Sequence, residues 1–307
     1  MKNNSKIDMD NYFYKYTDSE GAKKILGNLQ LLYKSPEKFN DPFDCKIGLK
    51  LDYDHEKFGP LFIGKFYLLL FSKRRPKLLE SSLRKDKILK LWEKGSDEEK
   101  IQHLEEVRES WEKKNVLSQT SKIIDRHIHE IMRTYRVFCV SKIPDQLLMW
   151  AHYADKHKGA VIKLSMPENP PGCWSFKEVT YSDEFPVHNT TDQMVDNMLG
   201  LWRPNPEETA KKLLFTKSNH WQYECEWRDI TKFGTPDNFG EGKHCFEIEK
   251  ERIIAVYFGL EMKNEDREEI MEIINEKLPH LEVYEAEKDR DKFKLNFKRL
   301  AESGTGG

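Results

Sequence analysis

The sequence lacks the short motifs that identify many enzyme classes. It contains no phosphate-binding GxxxxGK[ST] loop, no GxGxxG fingerprint, no GxSxG nucleophile elbow, no HExxH zinc motif and no paired CxxC. These absences argue against P-loop nucleotide hydrolases, Rossmann dehydrogenases, serine hydrolases of the α/β type and zinc proteases. A catalytic or binding site must therefore be identified from combinations of side chains other than these motifs.

The chain also has few cysteines, no long apolar run and almost no net charge. Its five cysteines are scattered without metal spacing, which is typical of thiols in a reducing cytoplasm. No apolar run reaches the length of a membrane span, and the first residues lack a signal-peptide core. The net charge of −2 gives no global field for nucleic acid or membranes. We therefore expect a cytoplasmic protein without membrane contact.

What is present is enough apolar and aromatic material for a substantial core, since aromatic residues make up 12% of 307 residues. Strand patterns lie near the start and after residue 136, and helical patterns are grouped between them. We predict an α+β fold, with an N-terminal core part at 11–60, a large helical insertion at 61–135, the remaining core at 136–300 and a flexible tail at 301–307.

A strand–helix–strand pattern runs from Val137 to Ser165 and contains an unusual cluster. Trp150, His152 and Tyr153 lie close together on a short predicted helix, and Ser141 ends the strand before it. Each ring taken alone is typical of a packed core. Together, three large rings with polar tips beside a hydroxyl favour a ligand pocket.

The second cluster is Glu224–Cys225–Glu226–Trp227–Arg228. Alternation from Trp221 to Lys232 predicts a strand, on which Glu224, Glu226 and Arg228 share one face. Two neighbouring carboxylates repel, which raises one pKa, whereas a bidentate arginine lowers it. An ordinary ion pair on a solvated strand is an equally good interpretation of the spacing.

Two further segments carry polar groups that could reach the same place. Lys15 and Tyr16 lie in the first predicted strand, and Asn40 and Asp41 lie in a turn-rich loop between two phenylalanines. We expect Lys15 or Tyr16, the Ser141–Tyr153 cluster and the Glu224–Arg228 segment to converge on one cleft, because buried charges are costly unless paired. We predict no metal site.

Several of these segments resemble a known family. YKYT near the start, KFNDPFDC, the S…MWAHYADKHKG block and W-x-YECEWR are similar to the bacterial family catalogued as domain of unknown function 2971. The resemblance runs from about Tyr14 to Phe297 and is weakest in the helical insertion. The family name implies no activity.

More distantly, the order of these motifs resembles the ADP-ribosyltransferase superfamily. That resemblance implies a split, mixed or antiparallel sheet and NAD as the substrate that supplies ADP-ribose. It implies catalysis by Glu226 with Glu224 as its partner. The binding residues expected from the clusters and the resemblance are Lys15, Tyr16, Asn40, Asp41, Ser141, Trp150, His152, Tyr153 and Arg228. Lys15 departs from the histidine or arginine of that superfamily, and a lysine cannot reproduce a guanidinium fork.

The leading hypothesis is therefore an NAD-dependent ADP-ribosyltransferase, of the glycosyltransferase class, that modifies a protein or nucleic acid as a toxin or phage-defence effector. One alternative is a non-catalytic module that binds a nucleotide or peptide. Another is a metal-dependent hydrolase or nuclease that uses Glu224, Glu226 and His152. For the transferase, we expect Glu226→Gln to abolish activity with little loss of stability, since it relieves carboxylate repulsion.

Overall fold

The computed structural model describes residues 12–46, 50–52, 54–80, 82, 84–113, 129–130, 132–165, 176–232 and 244–300. The chain forms two compact units. The first comprises Met1–Asn40, Arg133–Tyr181 and Lys217–Gly307, and the second comprises Asp41–Met132 and Ser182–Thr216.

The described helices and strands are numbered in chain order. The strands are β1 (Tyr12–Thr17), β2 (Gln30–Tyr33), β3 (Lys50–Asp52), β4 (Tyr135–Ser141), β5 (Ala160–Ser165), β6 (Lys177–Glu178), β7 (Thr180–Ser182), β8 (Val187–Thr190), β9 (Thr216–Ser218), β10 (Glu226–Lys232), β11 (His244–Glu247), β12 (Ile253–Phe258), β13 (Glu282–Lys288) and β14 (Leu295–Arg299). The α-helices are α1 (Ser19–Asn28), α2 (His55–Leu70), α3 (Lys85–Lys94), α4 (Asp97–Lys113), α5 (Leu147–Tyr153), α6 (Thr191–Leu199), α7 (Pro206–Leu214) and α8 (Asn264–Lys277).

The first unit is built on an eight-stranded sheet with the order β14-β13-β12-β5-β1-β4-β10-β6. Its strands pair antiparallel except β12 and β13, which are parallel, so the sheet is mixed. The predicted α+β class with a mixed sheet is confirmed. β1 and β4 pair in register only through Tyr14 and Ser141, whereas β1 and β5 pair along their whole length.

Alternation along the central strands gives this sheet two apolar faces. Ile162 and Val256 contribute to a cluster that also contains residues of α1 and α8. Val161 and Tyr257, their neighbours in sequence, belong to a second cluster that contains α5. The helix α1 begins after Asp18, whose carboxylate accepts a hydrogen bond from the Gly21 N–H at 2.6 Å, as its capping position predicts. The sheet therefore carries α5 on the face opposite α1 and α8.

The second unit is mainly helical and has its own core. Phe58, Phe62 and Phe66 recur every fourth residue along α2 and are buried against Val195 and Leu199 of α6. Lys65 of α2 also forms ion pairs with α6, at 2.6 Å to Asp196. β3 and β8 add a short parallel pair to this unit. The predicted insertion of residues 61–135 lies largely here. The same unit also contains residues 41–60 and 182–216, which were predicted to be parts of the core.

Several predicted elements differ from those observed. Apolar periodicity from Leu78 to Trp92 predicts a helix, but α3 begins only at Lys85. Pro144 suits the first turn of a helix, but α5 begins at Leu147, and the Pro144 carbonyl instead accepts a hydrogen bond from the Trp150 indole. Helical periodicity over 123–132 predicts a further helix, which lies largely outside the described residues, as do the N-terminal segment and the tail at 301–307.

Among the described residues, no helix is long and apolar enough to cross a membrane. The four cysteines within the described ranges form no disulfide with one another.

Candidate functional site

Three segments that are far apart in sequence meet in one row across the sheet of the first unit. Ser141 of β4 pairs with Tyr14 of β1 on one side and with Glu226 of β10 on the other. Residues paired directly across a sheet project their side chains to the same face. The row lies at the registered pair of β1 and β4 and brings Tyr14, Ser141 and Glu226 side by side. The two residues of β1 that were predicted to join them, Lys15 and Tyr16, bond backbone carbonyls elsewhere.

The two carboxylates belong to one connected hydrogen-bond network. Arg228 donates to Glu226 through Nε at 2.7 Å and through Nη2 at 3.0 Å. Lys217 Nζ donates to Glu226 at 2.9 Å and also to Glu224. The Tyr153 hydroxyl donates to Glu224 Oε1 at 2.7 Å. We call these five side chains the carboxylate network.

The charged members of the network are almost completely removed from solvent. The exposed fractions are 2% for Glu224, 4% for Glu226, 7% for Lys217 and 0% for Arg228. Buried ions are tolerated when they are paired and hydrogen-bonded, and here two negative groups balance two positive groups. The network is therefore formally neutral, but each member depends on the others for that balance.

Burial and charge move the two carboxyl pKa values in opposite directions. Burial raises the pKa of Glu226, but the Arg228 guanidinium and the Lys217 ammonium outweigh burial and hold that pKa well below its usual range. Burial raises the pKa of Glu224, the charge of Glu226 adds to this rise, and Lys217 offsets only part of it. The lower pKa of Glu226 is the outcome we expected if Arg228 dominates. Two neighbouring carboxyls with separated pKa values are a common arrangement for acid–base roles.

The strand predicted from Trp221 to Lys232 is wrong in its first part. Asn219–Glu224 is a 3₁₀ helix, Cys225 has a left-handed backbone with φ of 45°, and β10 begins only at Glu226. The Ser218 hydroxyl accepts a hydrogen bond from the His220 N–H and helps this turn to begin. Aromatic residues at alternating positions produced the sequence pattern of a strand. In the structure, the capping hydrogen bond of Ser218 stabilises a turn there instead. Lys217 therefore connects Glu224 and Glu226 by donating hydrogen bonds to both carboxylates. Their proximity does not come from alternate positions on one strand.

The loop before the second unit touches the network through two of its residues. Asn40 forms a side-chain hydrogen bond with Tyr153, and its own side chain is exposed. The Phe39 ring centre lies 5.4 Å from the Arg228 guanidinium carbon, within the range of a cation–π contact. Asp41 is buried in the second unit, where its carboxylate accepts from the Phe43 N–H at 2.8 Å. The accessible edge of the network therefore lies at Tyr153 and Asn40.

Two of the predicted pocket residues are core residues that hold α5. Trp150 is 0% exposed and its indole N–H donates to the Pro144 carbonyl at 2.7 Å. Tyr16 packs edge-on against Trp150, at 5.6 Å between ring centres, and donates to the Ile143 carbonyl at 2.9 Å. They position the helix that carries Tyr153. His152 is exposed on that helix, with its ring 6.1 Å from the Trp221 ring.

Ser141 is fully buried and bonds the backbone. Its hydroxyl donates to the Glu224 carbonyl at 2.6 Å and accepts from the Ile143 N–H at 3.1 Å. It thereby ties the 3₁₀ helix that ends at Glu224 to the end of β4, which fixes the position of the Glu224 side chain.

Lys15 does not place its charge beside the carboxylates in the way that the resemblance implies. Its ammonium donates to the Cys139 carbonyl at 2.9 Å and lies 4.7 Å from the centre of the Phe138 ring. Burial lowers its pKa to about 8. The cations that contact the carboxylates are Lys217 and Arg228, so a ligand at this row would not meet Lys15 first.

The lowered pKa of Lys15 gives a testable pH dependence. Unfolded Lys15 keeps its proton up to about pH 10.5, whereas folded Lys15 releases it from about pH 8. Between these values the unfolded chain binds more protons, so this group makes folding more favourable as pH rises. Relative to Lys15→Met, the wild type should gain about 2 kcal/mol in free energy of unfolding between roughly pH 7 and 10. Denaturant unfolding of both proteins at several pH values measures this, and a constant difference would contradict it.

Sequence reasoning missed Lys217, Cys139 and Tyr181. Lys217 lies in the short strand β9, and no motif distinguishes it from the many other lysines. The Cys139 thiol forms a hydrogen bond with Glu226, and the Tyr181 hydroxyl accepts from the Glu226 N–H at 2.8 Å. The one signal in the sequence that points to such partners is the pair of close carboxylates, because two buried carboxylates need more than one cation.

Residues 149–228 match the model of a family described as "Protein of unknown function (DUF2971)". The match covers α5 from Met149 onward, the 3₁₀ helix before β10 and both carboxylates, and it ends at Arg228. No curated protein and no solved structure matches the chain.

Proposed function

We propose that this chain is an ADP-ribosyltransferase-like enzyme that uses NAD as its substrate. The observation that carries the proposal is the row of Tyr14, Ser141 and Glu226 on three adjacent strands. Those strands hold the first, middle and last motifs in the order that the resemblance requires. β1 and β4 share only one registered pair at this row, which suits the split sheet of that superfamily.

The electrostatics of Glu226 suit the chemistry of such a transfer. The bond between nicotinamide and C1′ of the ribose breaks, nicotinamide leaves with the electron pair, and positive charge builds up at C1′. A carboxylate that is fixed and ionised before the reaction stabilises that charge without reorganisation. The depressed pKa of Glu226 keeps it ionised across the physiological range. Arg228 and Lys217 set that state and hold the carboxylate in position.

Glu224 suits the second half of the reaction. An incoming nucleophile forms a bond to C1′ and must release its proton. Because the pKa of Glu224 is raised, its carboxylate takes up a proton more readily than that of Glu226. Glu224 is therefore the better proton acceptor of the pair. Tyr153, whose hydroxyl bonds Glu224, lies at the accessible edge and would orient the acceptor group. We propose a protein or nucleic acid as acceptor, and a role as toxin or phage-defence effector.

The first test is NAD titration by calorimetry together with nicotinamide release measured by chromatography. We expect wild type to bind NAD and to release nicotinamide, and Glu226→Gln to lower release by at least about 100-fold. Glu178→Gln, at an exposed glutamate on β6, is the matched control and should keep full activity. The charge-balanced double variant Glu226→Gln/Lys217→Gln separates catalysis from folding.

The results separate this proposal from its alternatives. No NAD binding by the wild type removes the proposal. A non-catalytic nucleotide-binding module has its own support, because the four charges of the network already satisfy one another as a structural network would. That module predicts binding without nicotinamide release. A metal-dependent hydrolase is less compatible with carboxylates that already pair with two cations, and activity lost on adding a chelator would revive it.

A further inference from the structure

The second unit contains a polar cavity that the carboxylate network does not explain. Its volume is about 320 Å³, and residues of α6, of the segment after α6 and of the segment before α3 line it. The polar and aromatic members of its wall are Ser82, Arg84, Asn197, Trp202 and Arg203. All of them belong to the second unit. The cavity is therefore a feature of that unit alone.

The wall of this cavity is held in place by the end of α6. Gly200 caps that helix with a left-handed backbone at φ of 75°, and its carbonyl accepts from the Leu79 N–H at 2.8 Å. A Cβ atom at Gly200 would lie 2.4 Å from the Ser82 hydroxyl oxygen, so only glycine allows this close approach. The N–H groups of Gly200 and Leu201 satisfy the carbonyls of Asn197 and Asp196. The cavity is thus preformed.

The charged side chains that line the described part of this cavity are both positive, and no acidic side chain of its wall pairs with them. Within the described ranges, the guanidinium groups of Arg84 and Arg203 form no ion pair and no hydrogen bond. No acidic residue is among the described residues that line the cavity. Both arginines are exposed, so their donors remain hydrated and available. Two guanidiniums facing one cavity repel each other, and an anion between them would relieve that repulsion.

We propose that this cavity binds a nucleotide. Guanidinium groups present a planar fork that matches phosphate oxygens in bidentate contacts. The half-buried Trp202 indole offers a face on which a base can stack, a contact that accepts any base. The exposed amide of Asn197 can both donate and accept at a base edge. The volume lies at the lower end of the range for small-ligand sites, which fits a mononucleotide.

The site is distinct from the proposed NAD reaction site, which lies in the first unit. A nucleotide bound by the second unit would act as a recognition element, either as a free ligand or as the phosphorylated end of a nucleic acid. Both sources share the same chemistry, a phosphate next to a base. Free AMP and a 5′-phosphorylated oligonucleotide, used as separate probes, distinguish the two sources.

AMP titration by calorimetry tests the proposal on the full chain. We expect AMP to bind the wild type, and Arg84→Gln and Arg203→Gln to weaken binding about tenfold or more each, since each removes a charge-assisted bond to phosphate. The matched control is Arg74→Gln, at an exposed arginine of the same unit that does not line the cavity. It should bind AMP as the wild type does. Thermal unfolding confirms that the three variants remain folded.

Comparing probes defines the ligand. AMP should bind at least about tenfold more tightly than inorganic phosphate and than adenosine, because it uses both the arginines and the indole. Tighter binding of a 5′-phosphorylated oligonucleotide would assign the ligand to nucleic acid ends. Equal affinity for phosphate and AMP, or no AMP binding at millimolar concentration, would overturn the proposal. The Glu226→Gln/Lys217→Gln variant should bind AMP normally, so failure here is distinct from failure of the NAD reaction.

Discussion

The Glu226→Gln variant is expected to lose about 3–5 kcal/mol of free energy of unfolding, because it removes one member of a buried, charge-balanced network. Arg228 is 0% exposed and Lys217 is 7% exposed, and both donate to the Glu226 carboxylate. With glutamine at this position, both buried cations lose the charge of the Glu226 carboxylate that they contact. Urea unfolding at neutral pH, with Glu178→Gln as the exposed control, measures the loss.

This expectation replaces the one that the sequence supported. Two neighbouring carboxylates suggested that removing one would relieve repulsion and cost little stability. In the structure, two buried cations contact this carboxylate. Removing it is therefore expected to lower the free energy of unfolding instead of leaving it nearly unchanged. The double variant Glu226→Gln/Lys217→Gln removes one charge of each sign and should be more stable than the single variant by about 1 kcal/mol or more. A single-variant loss below about 1 kcal/mol would show that the network tolerates imbalance.

Trp150→Ala is expected to lose a similar amount, about 3–5 kcal/mol, for a different reason. The ring is fully buried, it contacts Tyr16, His157 and Phe297, and its N–H donates to the Pro144 carbonyl. Truncation leaves a large cavity and an unpaired carbonyl. Leu148→Ala, on the same helix but 48% exposed, is the matched control and should change stability by less than about 0.5 kcal/mol.

The Trp150 result also bears on ligand binding. If Trp150 acts as a core residue, any loss of NAD or nucleotide binding in Trp150→Ala should follow the fraction of unfolded protein and disappear at low temperature or in a stabilising osmolyte. Lost affinity in a fully folded Trp150→Ala protein would instead place this ring in the ligand pocket. Unfolding curves and calorimetry on the same samples distinguish these outcomes.

The sequence by itself determined several regular elements of the first unit. β1 and β5 lie where its strand patterns predict them, and α1 begins after the capping residue Asp18, because those signals act over a few neighbouring residues. The α+β class followed from the same signals. The sequence also singled out Ser141, Tyr153 and Glu224, which the structure brings together: the Ser141 hydroxyl donates to the Glu224 backbone carbonyl and the Tyr153 hydroxyl donates to its carboxylate.

Only the tertiary structure decided which side chains complete the carboxylate network and which residues belong to the core. Lys217 is 7% exposed beside Glu224 and Glu226, but its sequence neighbours do not distinguish it from a surface lysine. Trp150 and Lys15 were predicted to bind ligand, yet one packs under α5 and the other bonds the Cys139 carbonyl. Residue types determine which partners a side chain needs, whereas the partners themselves come from strands that are distant in sequence and adjacent only after folding.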